Sequence, residues 1–296
     1  MKKLIFNGSG VALITPMKED GSIHYDVLSE LIEFHITNGT DAIIACATTG
    51  ESPVLDHDEH CKAIDFVVKK VNRRIPVIAS SGSNDTRYAV ELSLSAQELG
   101  ADGLLMVTPY YNKTSQAGLV KHYHYVADRV NLPIIVYNVP SRTGCNIKPE
   151  TYLELSKHPN INATKEANGD ISALAKTISL CGDNLYVYSG EDNQTFPILS
   201  LGGKGVISVF ANILPKVMHQ ICADYFAGDI VSSREIFLKN IELMDALFAD
   251  VNPIPVKTAM KMLGFNSGDC RLPLTTMSDE AEAKLACVLK KYNLLK

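Results

Sequence analysis

Residues 133–137 read Pro133-Ile134-Ile135-Val136-Tyr137, a short apolar run rich in β-branched side chains. Such a run is too short for a core helix and is typical of a strand buried in a parallel sheet. Similar runs, separated by segments of helical period, predict eight strands that are each followed by a helix. The other seven runs are residues 11–14, 42–45, 76–79, 103–107, 161–167, 185–188 and 206–210.

The spacing of the runs, about 25 residues, is that of a closed (β/α)8 TIM barrel. A doubly wound open sheet is the alternative within the α/β class. It usually has fewer strands and carries a Gly-x-Gly-x-x-Gly turn after the first one. The sequence has no such turn, so the closed barrel is favoured.

The strand signals stop near Ala211. Residues 230–251 and 277–292 have the apolar spacing of helices. We therefore expect a catalytic barrel over residues 1–210 and a helical C-terminal region over residues 211–296 that packs on it.

Composition excludes several classes of partner. The chain has 28 Lys plus Arg against 33 Asp plus Glu, so it lacks the basic excess that nucleic acid requires. No run approaches the ~18 apolar residues of a membrane span, and the run at residues 4–6 is shorter than the roughly 7–15 residues of a signal peptide core. The 7 cysteines form no Cys-x-x-Cys pair, which predicts free thiols in the cytoplasm.

Polar side chains collect where the predicted strands end, which is where barrels of this kind place their reactive groups. They are hydroxyls, phenols, one Arg and one Lys, with few acids or imidazoles, so metal-assisted hydrolysis is disfavoured. The run at residues 57–60 lacks the His-Glu-x-x-His spacing of a zinc protease. We expect no metal site.

Lys165 is the most informative of these residues. Alternation along the sixth strand places Ile161, Ala163, Lys165 and Ala167 on one face, and Glu166 on the other. Burial lowers the pKa of a lysine and supplies the neutral amine that forms a Schiff base with a carbonyl compound. A lysine whose ammonium reaches solvent is the alternative that the residues leave open.

Tyr137 ends the neighbouring fifth strand, where its hydroxyl could move protons beside Lys165 or simply be a satisfied core group. Thr48 and Thr49 follow the second strand and are weak signals alone. The guanidinium of Arg142 suits a substrate carboxylate or an acid in a loop.

Six segments, in order and spacing, resemble the 4-hydroxy-tetrahydrodipicolinate synthase (dihydrodipicolinate synthase) family across essentially the whole chain. That family is similar to N-acetylneuraminate lyase and other pyruvate-dependent class I aldolases in fold and in its lysine imine. An arginine at the position of Arg142 distinguishes the synthases from the sialate lyases. The segments are residues 48–51, 108–111, 137–144, 165–167, 189–192 and 252–257.

The resemblance implies a lyase that condenses pyruvate with L-aspartate 4-semialdehyde to 4-hydroxy-tetrahydrodipicolinate, the first committed step of diaminopimelate and lysine biosynthesis. It implies no metal and no organic cofactor. Lys165 would form the imine, and Tyr137 would shuttle protons through Thr48 and Tyr111.

The resemblance also implies the substrate contacts. Thr49 and the backbone at Ile207 would hold the pyruvate carboxylate, Gly190 would line the substrate site, and Arg142 would receive the semialdehyde. Two alternatives stay open: another pyruvate-dependent class I aldolase that takes a sugar acid or a different aldehyde, and a non-catalytic barrel that binds a small acid.

The family uses the tyrosine corresponding to Tyr111 in a neighbouring subunit's site, which implies a homotetramer built as a dimer of dimers. Lysine-inhibited members bind lysine through a polar cluster at the dimer interface. Its counterparts here are Ser52, His57, His60, Asn84 and Tyr110.

Two positions of that cluster depart from the family pattern. Tyr88 stands where sensitive members place a glutamate, and Pro53 replaces a small residue. We therefore predict weak or absent inhibition by lysine. The alternative is that Tyr88 lies on an exposed helix face and that Asp85 or Glu91 supplies the charge.

Overall fold

Eight parallel strands close into a barrel in which each strand pairs with its neighbours in sequence and the last pairs with the first. The structure, a computed structural model, describes residues 2–295. It confirms the predicted (β/α)8 barrel. The strands are β1 Gly8–Ala12, β2 Ala42–Ala45, β3 Val77–Ser80, β4 Gly103–Val107, β5 Ile134–Asn138, β6 Ile161–Glu166, β7 Tyr186–Ser189 and β8 Gly205–Ser208.

At least one helix follows every strand, as predicted, and several begin with an Asp or Ser whose side chain accepts a hydrogen bond from the first turn. The helices that follow the strands are α1 Tyr25–Thr37, α2 His57–Val71, α3 Thr86–Glu98, α4 Gln116–Ala127, α5 Pro140–Thr143, α6 Pro149–Leu155, α7 Ile171–Cys181, α8 Thr195–Ser200 and α9 Pro215–Ala227.

Four more helices form the C-terminal region that the sequence predicts, namely α10 Ile230–Lys239, α11 Ile241–Ala246, α12 Ile254–Met262 and α13 Asp279–Lys291. The division at residue 211 stays a prediction. Within residues 2–295, every helix falls short of the length and apolarity needed to cross a membrane.

The first and last strands begin earlier than predicted because their first residues are not apolar. Gly8 of β1 pairs with Gly205 of β8, and both have positive φ angles, 118° and 139°. A Cβ atom on Gly205 would lie 1.8 Å from the carbonyl oxygen of Gly8. The two backbones therefore meet at a distance that only glycine allows.

Two layers of apolar side chains lie on either side of the strands. The inner layer fills the barrel and includes Ile44, Ile135, Ala163 and Ile207. The outer layer packs between the strands and the helices. Alternation along each strand divides its residues between the layers.

The prediction that Ile161 shares a face with Ala163 is wrong. Ile161 belongs to the outer layer, whereas Ala163 lies inside the barrel. The β5–β6 pairing shifts here, because Ile134 pairs with Ile161 but Ile135 pairs with Ala163, which leaves Asn162 as an extra residue. Such a bulge changes the face on which the preceding side chain lies.

Candidate active site

Lys165 lies inside the barrel, near the carboxyl end of β6, and is 3% exposed. Its Nζ lies 4.2 Å from the centroid of the Tyr137 ring. Burial lowers the pKa of Lys165 from 10.5 to about 8, an effect that the carboxyls of Glu191 and Asp192 oppose and the Arg142 guanidinium reinforces. The alternative of a lysine that reaches solvent is therefore wrong.

Tyr137 is the partner of Lys165 in the β5–β6 ladder and is also buried. Burial raises the pKa of its phenol to about 12, although the charge of Arg142 and the hydroxyl of Thr48 act in the opposite direction. The group is therefore a neutral phenol near pH 7. It can donate a proton and recover it, as a proton relay requires.

The loop after β2 brings Thr48 and Thr49 to the same end of the barrel. Thr48 lines one cavity together with Tyr137. Thr49 is buried, and its hydroxyl accepts a hydrogen bond of 3.1 Å from Asn252 Nδ2. The hydroxyl of Thr15 donates to the Gly50 carbonyl at 2.7 Å, which ties this loop to the segment after β1.

Arg142 lies on α5, the short helix after β5, and its side chain is exposed. Its Nη2 donates to the backbone carbonyl of Asn252 at 3.2 Å. None of the salt bridges among residues 2–295 involves Arg142, so its guanidinium is not paired with an acid in a loop. Asn252 thus contacts two predicted substrate-binding residues, Thr49 and Arg142.

Gly190 and Ile207 complete the predicted pyruvate site. The amide of Gly190 donates to the Glu166 carbonyl at 2.7 Å, and a Cβ atom there would lie 2.8 Å from the Ala167 Cβ. Only glycine permits this approach of the segments after β6 and β7. Ile207 is buried in the inner layer together with Tyr137.

Tyr111 is not brought into the site of its own chain. It lies in the loop after β4 with a positive φ of 69°, and its side chain is 90% exposed. A phenol this exposed is not packed against Tyr137. The same loop is fixed by Asn112 Nδ2, which donates to the Asn84 carbonyl at 2.9 Å.

The predicted lysine-binding cluster is partly assembled in the single chain. Five of its positions, including both that depart from the family pattern, line the cavity that Thr48 and Tyr137 also line; they are Ser52, Pro53, His60, Tyr88 and Tyr110. His57 lies next to this group, with its ring 6.1 Å from that of Tyr88. Asn84 is not among the lining residues, since it faces the Asn112 loop.

Tyr88 is half-buried and lines this cavity, so the alternative of an exposed helix face is wrong. No Asp or Glu is among the lining residues. Asp85 is instead the N-cap of α3, where its side chain accepts from the Arg87 amide at 2.8 Å. Glu91 is exposed.

Asp192 ends the segment 189–192 that resembles the family, but the sequence indicated no role for it. It is buried, and its Oδ2 accepts from the amides of Val209 and Phe210 at 3.1 and 2.8 Å. Burial raises the pKa of Asp192 despite these bonds. This carboxyl links the end of β7 to the end of β8 beside Lys165.

A second buried charge was also missed. Lys257 of α12 donates to Glu51 Oε1 at 2.7 Å, and both side chains are at most 1% exposed. The other carboxyl oxygen of Glu51 accepts from the Arg271 amide at 2.8 Å. These bonds fasten the loop of Thr48 and Thr49 to the C-terminal helices. Among residues 2–295, no group of three or more His, Cys, Asp or Glu side chains could hold a metal ion.

Comparison with known proteins identifies the family. The family model described as the dihydrodipicolinate synthetase family matches residues 5–292. A curated relative from Caldicellulosiruptor saccharolyticus, named 4-hydroxy-tetrahydrodipicolinate synthase, is 55% identical over 290 residues, which are 98% of each chain.

Solved structures agree with this match and confirm the resemblance seen in the sequence. Dihydrodipicolinate synthase from Aquifex aeolicus superposes with a TM-score of 0.95 at 49% identity, covering 98% of this chain and 99% of that one. A monomeric dihydrodipicolinate synthase variant superposes with a TM-score of 0.96 at 43% identity, covering 98% of both chains. The chain belongs to the dihydrodipicolinate synthetase family.

Proposed function

We propose that this chain is a Schiff-base-forming lyase that condenses pyruvate with L-aspartate 4-semialdehyde to give 4-hydroxy-tetrahydrodipicolinate. The product would enter diaminopimelate and lysine biosynthesis. The full-length relatives named for this activity support the proposal. The observation that carries it is the buried amine of Lys165 next to the Tyr137 phenol.

The lowered pKa of Lys165 supplies the nucleophile. A lysine with a pKa of about 8 has about a tenth of its amine neutral at pH 7, far more than an ordinary lysine. The neutral amine adds to C2 of pyruvate, and the carbinolamine loses water to form the imine. Tyr137 donates the proton that leaves with this water.

The imine then acts as an electron sink. The C3 methyl group loses a proton to give an enamine, and the enamine carbon bonds to the aldehyde carbon of the semialdehyde. Tyr137, with Thr48 and Tyr111, would carry the proton that the new alkoxide takes up. Attack by the amino group of the second substrate on C2 closes the ring and releases Lys165.

Side chains around this pair would hold the two acids. Thr49 and the backbone at Ile207 would bind the pyruvate carboxylate, and Gly190 would leave room for the substrate beside them. Arg142 would bind the carboxylate of the semialdehyde through its fork of N–H donors. Its exposed guanidinium supports this role.

We further propose a homotetramer formed as a dimer of dimers, in which Tyr111 reaches the site of the neighbouring subunit. The exposed side chain of Tyr111 supports this assignment. We also place the enzyme in the cytoplasm, which the seven unpaired cysteine thiols support.

The test is covalent trapping. Pyruvate and borohydride should modify the native chain irreversibly at Lys165, as read by intact mass and peptide mapping, and Lys165→Ala should abolish the adduct. A coupled assay with both substrates then separates this lyase from an aldolase that takes another aldehyde. Undiminished adduct in Lys165→Ala would refute the assignment, and the absence of any adduct on the native chain would indicate a non-catalytic barrel.

A further inference from the structure

A buried carboxyl lies on the outer face of the barrel wall, on the residue that follows Lys165. Glu166 is the last residue of β6 and is 3% exposed. Its Oε1 accepts from Asn138 Nδ2 at 2.9 Å and from the Asn168 amide at 3.1 Å, and its Oε2 accepts from the Tyr152 hydroxyl at 2.8 Å. The carboxyl therefore joins β5, β6 and α6.

The Asn138–Glu166 pair directly follows the Tyr137–Lys165 pair in the β5–β6 ladder. In the β5–β6 ladder, Tyr137 is opposite Lys165, and Asn138 is opposite Glu166. Successive side chains on a strand point to opposite faces, so the Asn138–Glu166 bond lies on the outer face behind the inner pair. It ties together the two strand ends that carry Tyr137 and Lys165.

The register of the β5–β6 ladder shifts upstream of this bond, at the bulge that leaves Asn162 without a partner on β5. Among the strand pairs within residues 2–295, no other one has a shift of this kind. The residue pair before the bulge does not set the register of the pairs after it. A slip of one residue would turn the lysine away from the barrel interior.

We propose that Glu166 is a positioning residue for the reaction, whose hydrogen bonds hold the Lys165 amine against the Tyr137 phenol. The inference rests on the proposed function, because it takes Lys165 as the imine-forming group. Glu166 does not act by pairing with the lysine, since its carboxyl faces away from the barrel interior.

The groups that could titrate near this network are few. Burial raises the pKa of Glu166 to about 7, against the bonds from Tyr152 and Asn138. Tyr152 of α6 is the titratable group that bonds to it, and burial, with the charges of Glu166 and Tyr123, raises the pKa of that phenol. Glu166 also acts on Tyr137 across the strand. On the inner face, the charged groups near Lys165 are Glu191, Asp192 and Arg142.

An amide can replace the carboxyl without breaking the network. The side-chain amide of Asn138 cannot flip, because its Oδ1 accepts from the Ile147 amide at 3.1 Å. In Glu166→Gln, the amide oxygen keeps the Asn138 bond and the amide nitrogen donates to Tyr152. The Tyr152 hydroxyl then turns to Thr164 Oγ1, 3.0 Å away. In Glu166→Leu, the bonds that Glu166 accepts from Asn138, Tyr152 and the Asn168 amide are lost.

The experiment measures the pH midpoint of pyruvate trapping by borohydride in the full-length native chain, Glu166→Leu and Glu166→Gln. Tyr123→Phe is the matched control, since its buried hydroxyl donates from α4 to the Met106 carbonyl of β4 at 3.2 Å and makes no hydrogen bond to Glu166. The amount of adduct is divided by the folded fraction, measured by circular dichroism at each pH, so that unfolding of part of the sample does not move the midpoint.

We expect Glu166→Leu to raise the midpoint by ~1 pH unit or more, because water that reaches a loosened Lys165 removes part of the desolvation that lowers its pKa. Trapping at pH 7 should then slow on the order of 10-fold. Glu166→Gln should recover most of the native behaviour, and Tyr123→Phe should keep the native midpoint. Tyr152→Phe provides a milder break, with a shift in the same direction, if Glu166→Leu does not fold.

A native midpoint in Glu166→Leu, or in Tyr152→Phe if that variant takes its place, would overturn the inference while leaving the proposed function intact. A shift in Glu166→Gln as large as that in Glu166→Leu would also overturn it, because charge rather than hydrogen bonding would then be decisive. A native chain that traps no pyruvate would refute the proposed function, and this inference with it.

Discussion

At the scale of single residues, desolvation lowers the pKa of Lys165, as the proposed imine chemistry requires. The lysine folds into an apolar wall with a pKa near 8, so the unfolded chain binds more protons than the folded one between pH 8 and 10.5. Stability attributable to this group therefore rises as the pH rises through that window. Near neutral pH, a charged Lys165 costs stability in exchange for reactivity.

The pH dependence of imine formation should follow from this shift. We expect the rate of borohydride trapping with pyruvate to rise with pH and to reach half its maximum near pH 8, where the amine is half neutral. The measurement is adduct mass against time over a series of pH values. A midpoint near 10.5, the value for an ordinary lysine, would show that the amine is not desolvated in solution.

Tyr137→Phe tests the proton relay. It removes one hydroxyl and little volume, so the fold should survive while kcat falls on the order of 10²–10⁴-fold, the usual range for a positioned acid–base group. Steady-state kinetics with both substrates measure this, with Tyr123→Phe as a control for the loss of a buried phenol hydroxyl. Turnover close to that of the native chain would make Tyr137 a packing residue.

At the scale of elements, α3 and the loop after β2 form the cavity next to the site. Tyr88 enters it from α3, while Ser52 and His60 come from the loop and from α2. The cavity therefore presents hydroxyls and a histidine, and no carboxylate is among the groups that line it. An ammonium group in the cavity would meet no lining carboxylate, since Glu91 and Asp56, whose charges add to burial in raising the pKa of Tyr88, lie outside the lining.

We accordingly predict weak or absent inhibition by lysine and a gain of sensitivity in Tyr88→Glu. A hydrogen bond to a charged group contributes ~1.5–3 kcal/mol, which corresponds to roughly 10- to 150-fold in binding. Titration of lysine in the coupled assay measures it, with Tyr88→Gln as the uncharged control. Strong inhibition of the native chain, without further gain in Tyr88→Glu, would contradict this interpretation of the cavity.

At the scale of the whole molecule, helix α12 holds the loop after β2 through the Glu51–Lys257 pair. Lys257→Met should cost ~3–5 kcal/mol in the free energy of unfolding, because it leaves the buried Glu51 carboxylate without its ion-pair partner. Urea denaturation measures the loss. The double variant Glu51→Gln/Lys257→Met should recover part of it.

The exposed pair Lys284–Glu280 is the control, since both side chains are at least 75% exposed. Lys284→Met should change stability by only ~0–1 kcal/mol. Equal effects of Lys257→Met and Lys284→Met would mean that the buried pair does not secure the loop.

Assembly is the last feature at this scale. If Tyr111 completes the site of a neighbour, mixing Tyr111→Phe with Lys165→Ala protomers should restore some activity, because hybrid dimers contain one site with both native groups. Activity after mixing and light scattering of the native chain measure this. A fully active monomer would refute the role of Tyr111 between subunits.

The sequence by itself determined the barrel and the direction of its key side chains. Strand and helix periods are local properties, so the eight strands could be predicted from short apolar runs. The same alternation placed Lys165 and Glu166 on opposite faces of β6, and the structure shows that the face of Lys165 lies inside the barrel. The resemblance to the family added the proposed roles of Tyr137, Arg142 and Tyr111, which spacing alone did not supply.

Only the tertiary structure decided which distant groups meet. The face of Ile161 depends on a bulge that exists only against β5, and the start of β1 depends on the approach of Gly8 to Gly205. Glu51 and Lys257 are separated by 206 residues in sequence. No local period encodes such contacts, because they form only when barrel closure brings remote segments together. The buried polar groups of these segments then form hydrogen bonds with one another.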